Sequence, residues 1–256
     1  MIILDCSDTD KLKDLYPSNR MDAMLSWFFN RRRHCKIWVD YTENPETAVI
    51  LVADFCYLFG KVKTPEDIVT VLLEDAHNKV IIAAGPEWVL FLNQYLNGKV
   101  YCYKRYALKH EPDVFDRKRL LQYINCIGPA YEIRKINEPV YHEVMAIDWA
   151  ADGCCYYDSY EDFDANGLGY VIYKNGVLVC IASSYSSYEG GIAVTIGTLE
   201  EYRRQRLATA CAASLILDCL DHNIYPEWEA ANMASVALAE KLGYHFDGAF
   251  DVYSLI

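Results

Sequence analysis

Ile192-Ala-Val-Thr-Ile-Gly-Thr198, a short turn, and then Arg203-Arg204-Gln205-Arg206-Leu207-Ala208 form the stretch on which the reading of this chain rests. Its first part alternates as a strand. Its second part sets three arginines within four positions where a helix begins. A helix N-terminus is the positive end of the helix dipole and prefers acids, so three cations there are locally unfavourable. Unpaired amides and guanidiniums together make an anion site, and phosphate is the common occupant. Pairing of the arginines with Glu200, Glu201 and nearby acids explains the cluster equally well from the residues alone.

The helix that follows, expected over 207–220, is nearly apolar all round and therefore reads as buried. Its small side chains permit close approach of a strand or a ligand. His222-Asn223 closes it, with Asn suited to a left-handed C-terminal position. Further on, 226–230 reads as a strand and 233–242 as a helix, with Asn232 at its N-cap and Gly243 at its end. Upstream, strands are expected at 131–136, 168–173, 177–183 and 191–197. Lys174-Asn175-Gly176 joins two of them as a hairpin, and helical segments fall at 138–149 and 159–164. A strand pair is expected to complete the fold after Gly243.

These residues resemble the acyl-CoA-binding motif of the GNAT superfamily, R/Q-x-x-G-x-G/A. The stretch from Pro226 to Tyr244 resembles that superfamily's second motif. With Thr198 and Tyr202, the chain is similar in particular to the zwittermicin A resistance-type GNAT acetyltransferases. The resemblance implies a splayed, mostly antiparallel central sheet flanked by helices over 131–256. It implies direct transfer of an acetyl group from acetyl-CoA to a small amine, with no metal. It carries the pantetheine arm to the backbone of Ile196 and Thr198. The pyrophosphate goes to the amides of Arg204, Gln205, Arg206, Leu207, Ala208 and Thr209, with Arg203. Asn232 and Ser235 are further cofactor contacts. Two positions depart from the pattern: Arg206 replaces the central glycine, and Ala239 stands where many members carry a proton-donating tyrosine. Loss of that acid and of any carboxylate on the 191–197 strand also fits a non-catalytic acyl-CoA-binding or sensing protein.

Removing the amine's proton calls for a carboxylate or a water held by one, and a backbone amide near Ile196 would serve the oxyanion. Glu229 is the candidate base. Asp158, Tyr160, Tyr185 and Tyr188 are candidates for an acceptor pocket, and none of the six histidines has a partner visible in the sequence.

The first half alternates in another way. A helix is expected over 22–33, strands at 36–40, 47–53, 80–84 and 100–106, and helices at 65–76 (capped by Thr64) and 86–96. A basic helical stretch over 113–125 and the Gly128-Pro129 turn place a domain boundary near residue 130. That gives an α/β N-terminal domain over 1–130, which could be a degenerate copy of the same fold, and the acyltransferase domain over 131–256. The N-terminal half is available to shape the acceptor site or a homodimer interface. Residues 1–130 carry 17 acidic and 17 basic side chains, while 131–256 carry 19 acidic and 7 basic ones. The whole net charge of −12 thus lies in the second half, which repels nucleic acid and anionic membrane and suits a cationic amine. With no secretory start, no membrane-length apolar run, and ten cysteines scattered singly apart from Cys154-Cys155, the expectation is a cytoplasmic protein with structural thiols.

Overall fold

The computed structural model describes residues 1–15, 25, 28–29 and 35–256. The helix expected over 22–33 lies almost wholly outside them. The chain divides into two compact units, residues 1–105 with 250–256, and residues 106–249. The sequence boundary near 130 differs from this division. Helix α3 (Arg117–Asn125), capped by the Asp116 carboxylate, belongs with the second unit, where Leu120 joins the core around the long apolar helix. A turn motif such as Gly128-Pro129 marks a bend, whereas burial of an amphipathic helix decides membership.

In the first unit the strands run in the order β1 (Ile2–Leu4), β2 (Cys35–Val39), β3 (Thr47–Val52), β4 (Phe55–Gly60), β5 (Val80–Ala83), β13 (Phe246–Leu255) and β6 (Val100–Leu108). β1 to β4 are antiparallel neighbours, and β4 pairs with β5 in parallel. Helices α1 (Pro65–Asp75) and α2 (Pro86–Tyr95) join Trp38, Val49, Leu58, Ile81 and Tyr253 in one core. No local sequence pattern marks β1 or β4 as a strand. In β4 every residue from Cys56 to Phe59 is buried, so no alternation marks it as a strand. Thr64 sits at the head of α1 in the left-handed region, φ 47°, and its side chain makes no capping hydrogen bond. The scattered cysteines also gave no sign that Cys6 and Cys35 form a disulfide-bonded pair, Cα atoms 6.8 Å apart. The other eight form no disulfide.

The second unit holds a five-stranded sheet ordered β11 (Tyr225–Glu227), β10 (Gly191–Thr198), β9 (Val177–Tyr188), β8 (Gly169–Lys174) and β7 (Tyr131–Lys135). It is antiparallel except for β10 with β11. Asn175 (φ 51°) and Gly176 (φ 79°) make the β8–β9 hairpin turn, as Asn-Gly requires. Helix α6 (Leu207–Asp221) is buried along nearly its whole length on one face, with α7 (Met233–Leu242) beside it. Asn223 takes the left-handed position (φ 56°), and the Ile224 amide returns to the Cys219 carbonyl at 2.9 Å. On the other face, helices α4 (Glu138–Met145) and α5 (Tyr160–Asn166) form a second core with Ile136, Val171, Tyr173 and Ile181.

Two expectations change here. The strand expected over 226–230 breaks at Trp228, because β12 (Glu229–Ala230) leaves β10 and pairs with Ala107 and Tyr106 at the end of β6. The strand pair expected after Gly243 is the single strand β13.

Candidate functional site

Strand β10 has two neighbours only at its start. Gly191, Ile192 and Ala193 lie opposite Tyr225, Pro226 and Glu227 of β11, and beyond Ala193 that side of β10 has no strand. On its other side β10 stays paired with β9 to Thr198. The Leu199 amide donates to the Val179 carbonyl at 3.0 Å. Backbone groups alternate in direction along an antiparallel strand, so those of Thr195 and Gly197 also turn to β9. Those of Val194, Ile196 and Thr198 turn to the open side. Arg203 Nε donates to the outward Thr198 carbonyl at 3.3 Å, which confirms the direction. The outward groups of Ile196 and the outward amide of Thr198 thus face the gap where β10 and β12 part, with the Thr198 carbonyl held by Arg203. An acyl chain carrying amides can pair there as a strand would.

The open edge leads to the head of α6. Arg204 (φ 63°) and Arg206 (φ 67°) both hold left-handed backbone, and Arg206 is the N-cap with no side-chain capping bond. This is the conformation the motif's glycine would adopt without strain, and here arginine adopts it. The first intrahelical bond runs from the Ala210 amide to the Arg206 carbonyl, so the amides of Leu207, Ala208 and Thr209 have no partner within the helix. Arg203, Arg204 and Arg206 are exposed, and among the described residues none of them makes an ion pair. The pairing with Glu200 and Glu201 that the sequence left open is therefore not what holds them. Gln205 fixes the turn instead: its Oε1 accepts from Tyr131 Oη at 2.5 Å and its Nε2 donates to the Glu201 carbonyl at 3.1 Å.

The second motif frames the far side of the gap. Asn232 caps α7, its side chain accepting from the Ser235 amide at 2.9 Å. Ser235 Oγ accepts from Trp228 Nε1 at 3.1 Å, a link between strand and helix. Ala239 is fully buried in the core, so α7 offers no proton donor at that position. Gly243 ends the helix at φ 120°.

Two carboxylates flank the parting of the strands, Glu229 on β12 and Glu227 at the end of β11. Glu227 Oε2 lies 2.8 Å from His110 Nδ1 and accepts from Tyr188 Oη at 3.3 Å. Burial first, then the Glu227 carboxylate, pushes the Tyr188 phenol up, so it stays a donor. Tyr225, pushed up to about 12 chiefly by burial, lies under the His110 ring at a centroid distance of 3.8 Å. Its hydroxyl donates to the Lys109 carbonyl and accepts from the Glu111 amide, each at 3.1 Å. The expectation that no histidine has a useful partner is corrected here: His110 and Glu227 are 117 residues apart, beyond the reach of any local pattern. Of the tyrosines expected around an acceptor, Tyr188 joins this cluster. Tyr185 packs on Tyr156 and Tyr160 on Tyr141, their ring centroids 4.6 and 5.7 Å apart. Among the described residues no group of His, Cys, Asp and Glu is placed to hold a metal ion, and no helix is long and apolar enough to cross a membrane.

A mixed α/β fold whose central sheet parts beside an uncapped, arginine-ringed helix N-terminus defines the class. A family model described as GNAT acetyltransferase matches residues 24–253, and the chain belongs to that family. The crystal structure of a GCN5-related N-acetyltransferase-like protein from Streptococcus suis 89/1591 is similar at a TM-score of 0.86 and 30% identity, over 98% of this chain and all of that one. A GCN5-related N-acetyltransferase from Kribbella flavida shares the fold at a TM-score of 0.51 and 17% identity, over 81% of this chain and 85% of that one. The uncharacterized N-acetyltransferase YdfB of Bacillus subtilis (strain 168) is 26% identical over 179 residues, 68% of this chain. That match spans 64% of YdfB, less than two thirds of its length.

Proposed function

We propose that this protein is an acetyl-CoA-dependent N-acetyltransferase that transfers the acetyl group directly to a small amine. The observation that carries the reading is the open edge of β10 running into the uncapped head of α6. The outward groups of Ile196 and Thr198 suit the amides of a pantetheine arm. The free amides from Arg204 to Thr209 and the Arg203 guanidinium suit a pyrophosphate. Asn232 and Ser235 edge the same gap. Bound acetyl-CoA supplies an activated acyl group, and the chain supplies binding, an amide for the developing oxyanion and a carboxylate, Glu229 or Glu227, for the proton of the amine. The acidity of residues 131–256 favours a cationic acceptor. A cytoplasmic location and kinship to the zwittermicin A resistance type belong to the same reading.

Isothermal titration with acetyl-CoA, beside the Arg203→Ala variant, tests it. Binding that the variant weakens more than about tenfold, or about 1.4 kcal/mol, supports the cradle. Absence of both heat and thermal shift at saturating ligand ends the reading. The buried Ala239 on α7 favours a second reading, an acyl-CoA sensor. Tight binding without turnover on an amine panel would select it.

A further inference from the structure

We propose that Glu227, backed by His110, is the general base of this site and that the pair forms a proton exit from the acceptor amine to solvent. The inference rests on the acetyltransferase reading above and deepens it.

Glu227 is the last residue of β11 paired with β10, opposite Ala193, and the next residue of β10, Val194, is the first whose groups face the gap. The apex of the split is therefore at Ala193 and Glu227. From Thr198, beside the arginine turn, to Val194 is four residues, about 13 Å of strand. An extended arm anchored at the head of α6 and paired along that edge delivers its reactive end toward the apex.

Ile192 lies in the core under α6 and is opposite Pro226, so Ala193 and Glu227 point to the other face of the sheet. Gly197 marks that face, since a Cβ there would stand 3.1 Å from the Trp149 ring. Across β10 the register continues Glu227–Ala193–Ser186. Ser186 is fully buried and its hydroxyl has no hydrogen-bond partner. An unsatisfied buried hydroxyl costs free energy unless a ligand or water meets it. The row thus presents a carboxylate, a small methyl group and an unsatisfied hydroxyl on the face away from α6. Of its two polar groups the carboxylate alone reaches solvent, so Glu227 is the group of this row that an acceptor can meet.

The chemistry follows from the partners. Tyr188 holds one Glu227 oxygen as a donor, and His110 meets the same oxygen. The His110 side chain is 57% exposed and that of Glu227 28%. A proton accepted by the less exposed carboxylate can pass to the imidazole and then to water. The acceptor ammonium gives one proton to Glu227. The neutral nitrogen attacks the thioester carbonyl carbon, the C–N bond forms and the C–S bond breaks. The second nitrogen proton ends on the CoA sulfur, and the first leaves through His110. Amide, thiol and one released proton balance the equation.

Bromoacetyl-CoA, whose reactive carbon sits where the acetyl methyl would lie, maps the apex without turnover. The expected result is loss of bromide with an adduct on Glu227 or His110, found by peptide mass spectrometry and absent at those residues in Glu227→Gln/His110→Gln. An adduct confined to Glu229 or to a distant cysteine overturns the assignment. Release of CoA thiol from acetyl-CoA is then followed with water, ethanolamine and spermidine as acceptors. Glu227→Gln should lower kcat at least about 100-fold while acetyl-CoA binding stays within about threefold. His110→Gln should lower kcat about tenfold with KM for acetyl-CoA unchanged. A large loss in Glu229→Gln with full activity in Glu227→Gln overturns the proposal, as does bound acetyl-CoA that no acceptor consumes. If the wild-type protein binds no acetyl-CoA, the acetyltransferase reading itself has failed, and that result is separable from the others.

Discussion

The Tyr188 ring lies across Gly191. A Cβ built at 191 would come within 2.2 Å of the ring, and past that point the Tyr188 hydroxyl reaches Glu227 on β11. The absent side chain at 191 is what lets a β9 residue cross β10 and touch a residue two strands away. Gly191→Ala should therefore cost about 1–3 kcal/mol in chemical denaturation, the range for overpacking. In a Tyr188→Ala background the same substitution should cost much less. Equal costs in both backgrounds would show that the ring is not the obstacle.

Arg206 holds φ 67° at the head of α6, where an L side chain is strained. Arg206→Gly should raise stability by about 0.5–1 kcal/mol, measured by urea unfolding, with relief of strain exceeding the added freedom of the unfolded chain. The same variant separates two roles of this residue. Weaker acetyl-CoA binding in a more stable protein would mean that the guanidinium contacts phosphate.

Asn232 is the N-cap of α7, so Asn232→Ala should lose about 1 kcal/mol while Asn232→Asp stays near wild type. Paired titrations with acetyl-CoA then show whether the side chain also serves the ligand. If it does, Asn232→Asp binds more weakly at unchanged stability.

Alkaline pH should weaken the second unit. Burial raises Cys219 from 9.0 to about 12 and Tyr225 from 10.0 to about 12. Each folded value exceeds its unfolded one, so the stabilisation is complete below about pH 9 and is lost as pH rises toward 12. The melting temperature should fall over that interval, less so in Cys219→Ala. A flat profile from pH 9 to 11 would contradict the burial of these groups.

Much of the second unit was legible because its signals are local. The Asn175-Gly176 turn, the Asn232 cap, the Asn223 and Gly243 helix ends and the apolar run of α6 each depend on residues a few positions apart. The turn at the head of α6 was legible for the same reason, its three arginines lying within four positions. Strand β4 was not, since a strand buried on both faces carries no period. The break at Trp228 was not either: 225–230 is one good strand by propensity, and only the competing partner β6 divides it. The His110–Glu227 pair depends on β11 and on a segment 117 residues earlier, and no spacing rule spans that distance.

Strand β13 leaves the second unit and ends in the first, where it lies between β5 and β6. The first unit therefore cannot close its sheet as it emerges from the ribosome. Its place for a seventh strand stays vacant until the whole of the intervening unit has been synthesised. Nascent-chain folding of this protein should accordingly show the earlier-made unit maturing last, and a gene cut between the two units would orphan a strand rather than free a domain.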